Sequence, residues 1–600
     1  MCGIFGYVGK KENSASIVLE GLKLLEYRGY DSWGIAIKAQ SDVSKSRFVL
    51  EKHVGKIADA NLTRSTSSGQ ISNLKSNLAI GHTRWATHGG VTVNNAHPHL
   101  DCTSTIAVVH NGIVENFQEL KEELTEKGHK FVSETDTEVI PHLVEEHLKH
   151  EGFASSIRDS FNRLRGLNAI VAANAVSKEI VAAKNGSPLI VGIGDRELFV
   201  SSDIVGIVDH TRKIIFLKDN EMVILGGEIQ LLSLPLGKKL PVKPERIDWK
   251  FENTSKGTFR NFMIKEIYDQ PLIIRNIAKN YSQNIKKLAN YVKNAKGTFF
   301  IGAGTAFHAG LFGTYLFSKI AKKHVNTAVA SEFNYLEDFL TRDSLIVVLS
   351  QSGETIDVIE PVNRAKSKKN KIVAITNSLG STLYRMADYN VLLNAGPEKA
   401  VASTKAYIAK LSVLLMLAYT IIDKEEDAKE ILLKTAEEIE RLLGDKVVSE
   451  VKKVAKFLSR ADNIYAIGRG VSYPSAMEAA LKIKEISYIP TEGFPGGELK
   501  HGTIALIGKG TPCIVFAPND ETYDSIISNA IEIKSRGGVI IGISPKNSSA
   551  FDYFLEAKDV KEGSYISQIV VAQVLSYYMA VCLGLDPDKP RNLAKSVTVK

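Results

Sequence analysis

From residue 297 onward the chain alternates short unbroken apolar runs with amphipathic stretches. The runs fall at 298–301, 345–349 and 372–375, and again, at nearly equal spacings, at 464–467, 513–516 and 539–543. A strand covered by helices on both faces has no polar side, so runs of this kind predict strands of a parallel sheet. The stretches between them predict helices, as where Ile356, Ile359 and Val362 fall on one stripe. Because the pattern is used twice, it predicts two copies of one α/β domain. A glycine-rich turn follows the first strand of each copy, Gly302-Ala303-Gly304 and Gly468-Arg469-Gly470. Ligands of such folds sit at the carboxyl ends of the strands, so these turns point at sites.

The first 230 or so residues read differently. Alternating segments such as 180–183 and 214–218 predict half-buried strands, and only two long helices are predicted, at 115–126 and 137–149. A separate α+β domain is expected. Pro235, Pro241 and Pro244 lie in a Lys-rich stretch that suits a linker, and 59–77, rich in Ser, Asn and Thr, suits a surface loop. The expected layout is an N-terminal domain over 2–235, a linker over 236–262, α/β domains over 263–440 and 441–589, and a tail over 590–600.

Composition narrows the classes. Six hundred residues exceed what one core supports. The longest strongly apolar run, 411–422, is shorter than the roughly 18 residues a membrane span needs, so no membrane span is expected. The net charge of +8 comes from 75 basic and 67 acidic residues interspersed along the chain, which argues against a nucleic-acid partner. Met1-Cys2-Gly3 opens without a basic leader, so no secretory signal is expected. The four cysteines, Cys2, Cys102, Cys513 and Cys582, form no C-x-x-C pair; neither a disulfide framework nor a zinc site is suggested, which fits a reducing cytoplasm.

Position makes Cys2 exceptional. Removal of Met1 would put a thiol and an α-amine, with a pKa near 8, on one residue, supplying a nucleophile together with its general base. Further motifs follow: Gly81-His82-Thr83-Arg84-Trp85-Ala86-Thr87-His88-Gly89, then His97-Pro98-His99, then His110-Asn111-Gly112. With these residues the first 230 or so positions resemble the N-terminal-nucleophile glutamine amidotransferases. The resemblance implies an αββα Ntn-hydrolase-type fold in which the terminal cysteine attacks the side-chain amide of glutamine and releases ammonia. It further implies that Arg84 holds the α-carboxylate and Asp136 the α-ammonium. Asn111 and the Gly112 N–H would form the oxyanion hole, and Thr87 and His88 would line the pocket. Trp85 would gate the ammonia path. Read locally, Asp136 in Glu134-Thr135-Asp136-Thr137-Glu138 reads first as a cap of the following helix, and Trp85 serves equally as a core residue.

The ammonia acceptor must lie in the repeated half. Ser350-Gln351-Ser352-Gly353-Glu354-Thr355 follows an apolar run and opens a helix, a place where hydroxyls and free N–H groups can cradle a phosphate or simply cap the helix. No Walker loop follows, and Phe307 stands where a dinucleotide fingerprint would need its third glycine. The two copies resemble SIS (sugar isomerase) domains, α/β folds with parallel sheets flanked by helices that bind phosphorylated sugars.

End to end, the chain resembles the isomerizing glutamine–fructose-6-phosphate aminotransferase family. That resemblance implies conversion of fructose 6-phosphate and glutamine to glucosamine 6-phosphate and glutamate, the first step towards UDP-N-acetylglucosamine, with no metal or organic cofactor. By the same resemblance Ser350, Gln351, Ser352 and Thr355 take the phosphate, and Thr305, Val401 and Ser403 contact the sugar. Glu485 moves the proton between C1 and C2 beside Lys482, His501 opens the ring, and Lys595 forms the Schiff base. A homodimer in which His501 reaches the neighbouring subunit's site is also implied. Ala303-Gly304-Thr305-Ala306 departs from the family's Cys-Gly-Thr-Ser, so position 306 lacks a hydroxyl. Two rival readings fail on the residues. Another ammonia acceptor would need a phosphoribosyl-pyrophosphate or pyrophosphatase-type loop, and neither is present. An inactive sugar-phosphate sensor would have lost Glu485, His501 or Lys595.

Overall fold

The computed structural model describes residues 2–39, 46–57, 74–247 and 256–597. The loop expected at 59–77 lies largely outside the described residues. The chain divides into two compact units, 1–250 with 594–600, and 251–593.

Among the described residues, the first unit is built on two antiparallel sheets of eight and seven strands. In the larger, Gly3–Gly9 is central, paired with Leu78–Arg84 on one side and Glu197–Ser201 on the other. In the smaller, Ile106–Gly112, Asn168–Asn174 and Glu179–Lys184 run side by side. Strand alternation assigns the faces. Ala107 and Val109 enter the core between the sheets with Ile4, Val8, Ile80, Val171 and Ala182. Their neighbours Ile106 and Val108 turn the other way, onto helices Phe117–Glu126, Val139–Leu148 and Phe153–Arg163. Helix Ser14–Leu25 packs on the larger sheet, against Gly3–Gly9 and Leu78–Arg84. The layers are therefore helix, sheet, sheet, helix.

Two of these helices were not expected. In Phe153–Arg163 the buried apolar residues Phe153, Ile157 and Phe161 make a narrow stripe between serines and charges, and Ser14–Leu25 carries Gly21. The N-terminal unit also extends past residue 235. Lys238–Leu240 joins the smaller sheet and Glu245–Arg246 the larger, so the expected linker does not start at 236.

The second unit holds two five-stranded parallel sheets. In the first the order is Asn326–Val329, Gly297–Gly302, Ser344–Ser350, Lys371–Thr376, Tyr389–Leu392. In the second it is Thr491–Pro495, Ile464–Gly468, Pro512–Phe516, Val539–Ser544, Tyr553–Glu556. Both orders are 2-1-3-4-5 counted within the copy. Residues from the inner faces, Phe300, Val347 and Val373 of one copy and Ala466, Ile514 and Ile541 of the other, belong to one continuous core. The helix after the first strand of each copy, Thr305–Leu316 and Tyr473–Ser487, packs on its counterpart. Helix Glu425–Leu442 runs across the boundary expected at 440, and the break falls at Leu443–Gly444. The helical segment Lys561–Cys582 is long and apolar enough by length and composition to cross a membrane, longer than the run at 411–422, yet 83% of its apolar window is buried in this core.

Candidate functional site

Three strand ends meet at one pocket in the N-terminal unit. Gly3–Gly9 starts there with Cys2 before it, Leu78–Arg84 ends there, and so does Ile106–Gly112 with Asn111 and Gly112. Cys2, Arg84, Trp85, Thr87, Asn111, Gly112 and Asp136 all line it, joined by His97, His110 and Thr137. The Trp85 N–H donates to Cys2 Sγ at 3.2 Å. Burial pushes the Cys2 thiol above its ordinary pKa, against the pull of that hydrogen bond and of the Arg84 guanidinium.

Asn111 Nδ2 donates to the Cys2 carbonyl at 3.1 Å, which places the amide beside the nucleophile. Gly112 has φ +146°, and a Cβ there would lie 2.3 Å from the Leu167 carbonyl, so only glycine fits beside Asn111. Asp136 does not cap the following helix. Its carboxylate is buried and accepts from the Val114 N–H at 2.7 Å. Arg84 reaches the pocket, but its guanidinium already donates to the carbonyls of His88, Gly89 and Gly90. A two-pronged grip on a carboxylate therefore requires that turn to give way. His88 does not line the pocket; its ring meets Phe117 edge-on at 5.6 Å.

Beneath the pocket lies a cluster that motif reading passed over. His82 and His97 stack at 4.2 Å and His97 meets His99 at 4.8 Å. His110 is held by Thr137 Oγ1 and Asn168 Oδ1, each at 2.9 Å. Burial lowers the pKa of all four, His82 to about 3, so all four are neutral at physiological pH.

In the second unit the predicted sugar-phosphate residues gather at the carboxyl ends of the first sheet's strands. Ser350 Oγ accepts from the Gly353 N–H at 3.0 Å and Ser352 Oγ from the Glu354 N–H at 3.2 Å, which folds the loop back on itself. Thr355 occupies the N-cap of helix Ile356–Ser367 but makes no side-chain cap bond, leaving its hydroxyl for another partner. The Gln351 carbonyl accepts from the Asn377 N–H at 3.2 Å, tying the loop to that of the next strand.

Glu478, unremarked in the sequence, organises the opposite wall. Fully buried, it accepts from Thr305 Oγ1 at 3.1 Å and contacts His308 Nδ1 at 2.7 Å. Lys482 Nζ lies 3.6 Å from Glu478 and is hydrogen-bonded to Glu485. Its i, i+4, i+7 place on one helix was the available signal. Burial would lower the Lys482 pKa, but Glu485, Glu478 and Glu398 outweigh it and hold the amine charged. Glu398 also takes Ser403 Oγ at 2.9 Å, linking that residue to the cluster. The Val401 N–H donates to the Asp588 carbonyl at 3.0 Å, and Arg591 docks on Tyr488, 4.3 Å from the ring centroid. His501 is exposed, and Lys595 falls in the segment that groups with the N-terminal unit.

Residues 82–209 match the glutamine amidotransferase domain family, and 291–420 and 457–582 match the SIS domain family. The glutamine–fructose-6-phosphate aminotransferases (isomerizing) of Thermococcus kodakarensis and Pyrococcus horikoshii are each 41% identical to this chain, over the full length of both partners. The chain belongs to this family. As a member, it is an enzyme of the glutamine amidotransferase type with two SIS domains. The C-terminal domain of glucosamine-fructose-6-phosphate aminotransferase from Francisella tularensis superposes on 56% of the chain, with 32% identity, a TM-score of 0.51 and the whole of that domain covered.

Proposed function

We infer that the chain converts fructose 6-phosphate and L-glutamine to glucosamine 6-phosphate and L-glutamate. The observation that carries this reading is Cys2 seated at the strand ends with Arg84, Asn111, Gly112 and Asp136, in a chain that matches the aminotransferases end to end.

After removal of Met1, the α-amine of Cys2 takes the thiol proton and the thiolate attacks the amide carbon of glutamine. Asn111 Nδ2 and the Gly112 N–H take the charge that develops on the amide oxygen. Arg84 and Asp136 hold the two α-substituents, with Thr87 beside them. The C–N bond breaks to release ammonia, and water cleaves the resulting thioester to glutamate. Trp85, whose backbone brackets the thiol, gates passage of ammonia through a buried channel.

Ser350, Gln351, Ser352 and Thr355 bind the sugar phosphate, with Thr305, Val401 and Ser403 on the sugar. The resemblance to the family assigns the Schiff base with the open-chain sugar to Lys595. His501 of the neighbouring subunit first opens the ring; ammonia then adds at C2 and displaces the lysine amine, and Glu485 moves a proton from C1 to C2 to give the 2-amino aldose. The dimer and a cytoplasmic location belong to this reading. Nitrogen arrives as ammonia and a proton moves between carbons, so the chemistry needs no redox partner or group carrier.

The test supplies fructose 6-phosphate and glutamine to chain lacking Met1 and measures glucosamine 6-phosphate. Cys2→Ala should abolish glutamine hydrolysis and retain isomerisation of the sugar. No amino sugar from correctly processed protein would sink the reading.

A further inference from the structure

On the helix side of the N-terminal unit, Cys102, His129, His142 and Glu145 place a thiol, two imidazole nitrogens and a carboxylate oxygen within 4.8 Å of one another. None lines the glutamine pocket. Cys102 Sγ lies 3.5 Å from Nδ1 of His129 and 3.5 Å from Nδ1 of His142. Glu145 Oε2 lies 3.1 Å from the first of these nitrogens and 3.5 Å from the second. Zinc bonds of about 2.3 Å to sulfur and about 2.0–2.1 Å to nitrogen or oxygen, arranged tetrahedrally, separate the ligands by about 3.3–3.6 Å. These four of the six ligand–ligand spacings are close to the edges of that tetrahedron.

Orientation points the same way. Both histidines turn Nδ1 inward, and His129 Nε2 is hydrogen-bonded to Glu146 at 2.8 Å. A carboxylate behind the imidazole fixes the tautomer that leaves Nδ1 as a lone-pair donor. Without a cation, His129 serves Glu145 and Glu146 together only as a doubly protonated imidazolium. One proton serves one such contact, whereas one metal ion serves all four ligands. A thiolate and a carboxylate together balance a divalent charge.

We propose that Cys102, His129, His142 and Glu145 bind a zinc ion. Two imidazoles and a thiolate select a borderline transition metal over magnesium or calcium. Four protein ligands close the coordination sphere, which marks the site as structural. It ties together three segments: the loop after His99–Leu100, the connection after Phe117–Glu126, and helix Val139–Leu148. Strand Ile106–Gly112 leaves this loop for Asn111 and Gly112, and Asp136 begins the turn that leads into that helix. The ion thus fixes elements that carry the glutamine pocket. The ligand spacing, 102, 129, 142 and 145, contains no close cysteine pair, which is why the sequence suggested no zinc site.

Cobalt(II) reports on such a site through its visible ligand-field bands and a near-ultraviolet thiolate charge-transfer band. Full-length protein stripped with chelator should take up one equivalent of cobalt with both features, and zinc should displace it. Cys102→Ser should remove the charge-transfer band, and Glu146→Gln should weaken binding about 10- to 100-fold. Cys2→Ala should keep the band; its loss there would place the ion at the nucleophile and overturn the assignment. Equal spectra for wild type and Cys102→Ser, or no saturable uptake, would overturn it too. If Cys102→Ser does not fold, X-ray absorption at the zinc edge of the wild-type protein decides: one sulfur and three lighter ligands support the site, and no sulfur refutes it.

Discussion

His82 Nε2 lies 3.1 Å from Asn111 Oδ1 and 3.1 Å from the His110 carbonyl, two acceptors that only an N–H can serve. With its pKa lowered to about 3 by burial, His82 is neutral and carries its proton on Nε2. That donor settles which end of the Asn111 amide faces Cys2. The oxygen is turned to His82, and the NH2 group to the nucleophile.

His82→Ala should therefore lower glutaminase kcat by about tenfold or more while leaving KM for glutamine nearly unchanged, because it frees the oxyanion donor to rotate. Asn111→Ala should cost about 10²–10³ in kcat. If His82 acts through Asn111, the double variant should be no slower than Asn111→Ala alone. Losses that multiply would show that His82 acts by another route.

Acid should loosen the N-terminal unit first. His82, His97, His99 and His110 are all held below the ordinary histidine value by burial. Above pH about 6.5 both folded and unfolded chains hold them neutral, so stability is flat with respect to these groups. Below it, the unfolded chain binds protons that the folded chain refuses. Each histidine then removes up to about 1.4 kcal/mol per pH unit until its folded pKa is reached. Trp33 and Trp85 lie in this unit and the sequence has no tryptophan in 251–593, so fluorescence reports on this unit rather than the other. The midpoint should fall steeply between pH 6.5 and 5. A flat midpoint over that range would mean that the folded cluster accepts protons.

How far the sequence reached depends on where a residue acts. The inner strands of the second unit were legible because sheets covered on both faces leave unbroken apolar runs, as in Ser344–Ser350. Edge strand Thr491–Pro495 was not, since it contains Gly493 and Pro495 and buries only Thr491 and Phe494 well. The pocket residues Cys2, Arg84, Asn111 and Asp136 lie in contiguous motifs. The residues that orient them, His82 beneath Asn111 and Glu478 beside Thr305, act through packing between elements far apart in sequence. Local pattern carries little of such pairings, the i, i+4, i+7 spacing of Glu478, Lys482 and Glu485 being the one signal available.

Lys482 and Glu478, both fully buried, form a pair whose halves depend on each other. Lys482→Met removes the cation from Glu478 and Glu485 together. Breaking a buried ion pair from one side costs about 3–5 kcal/mol, so the calorimetric transition of the second unit should drop by several degrees. Glu478→Gln combined with Lys482→Met should recover part of that loss. A double variant as unstable as the sum of both singles would show that the two residues contribute independently.

The loop from Ser350 to Thr355 offers the sharpest test of phosphate binding. Gly353 has φ +66°, and a Cβ built on it would sit 2.1 Å from Ser381 Oγ, the atom that caps helix Thr382–Met386 by accepting from the Tyr384 N–H. Gly353→Ala thus meets two obstacles. A left-handed backbone costs an L-residue about 1–2 kcal/mol, and the methyl group must displace Ser381. The cheapest relief moves the Gly353 N–H away from Ser350 Oγ, which opens the fold of the loop. KM for fructose 6-phosphate should rise at least tenfold, whereas hydrolysis of glutamine alone, at a site in the other unit, should be unaltered. An unchanged KM in a variant shown by crystallography to have shifted the loop would remove phosphate binding from these residues.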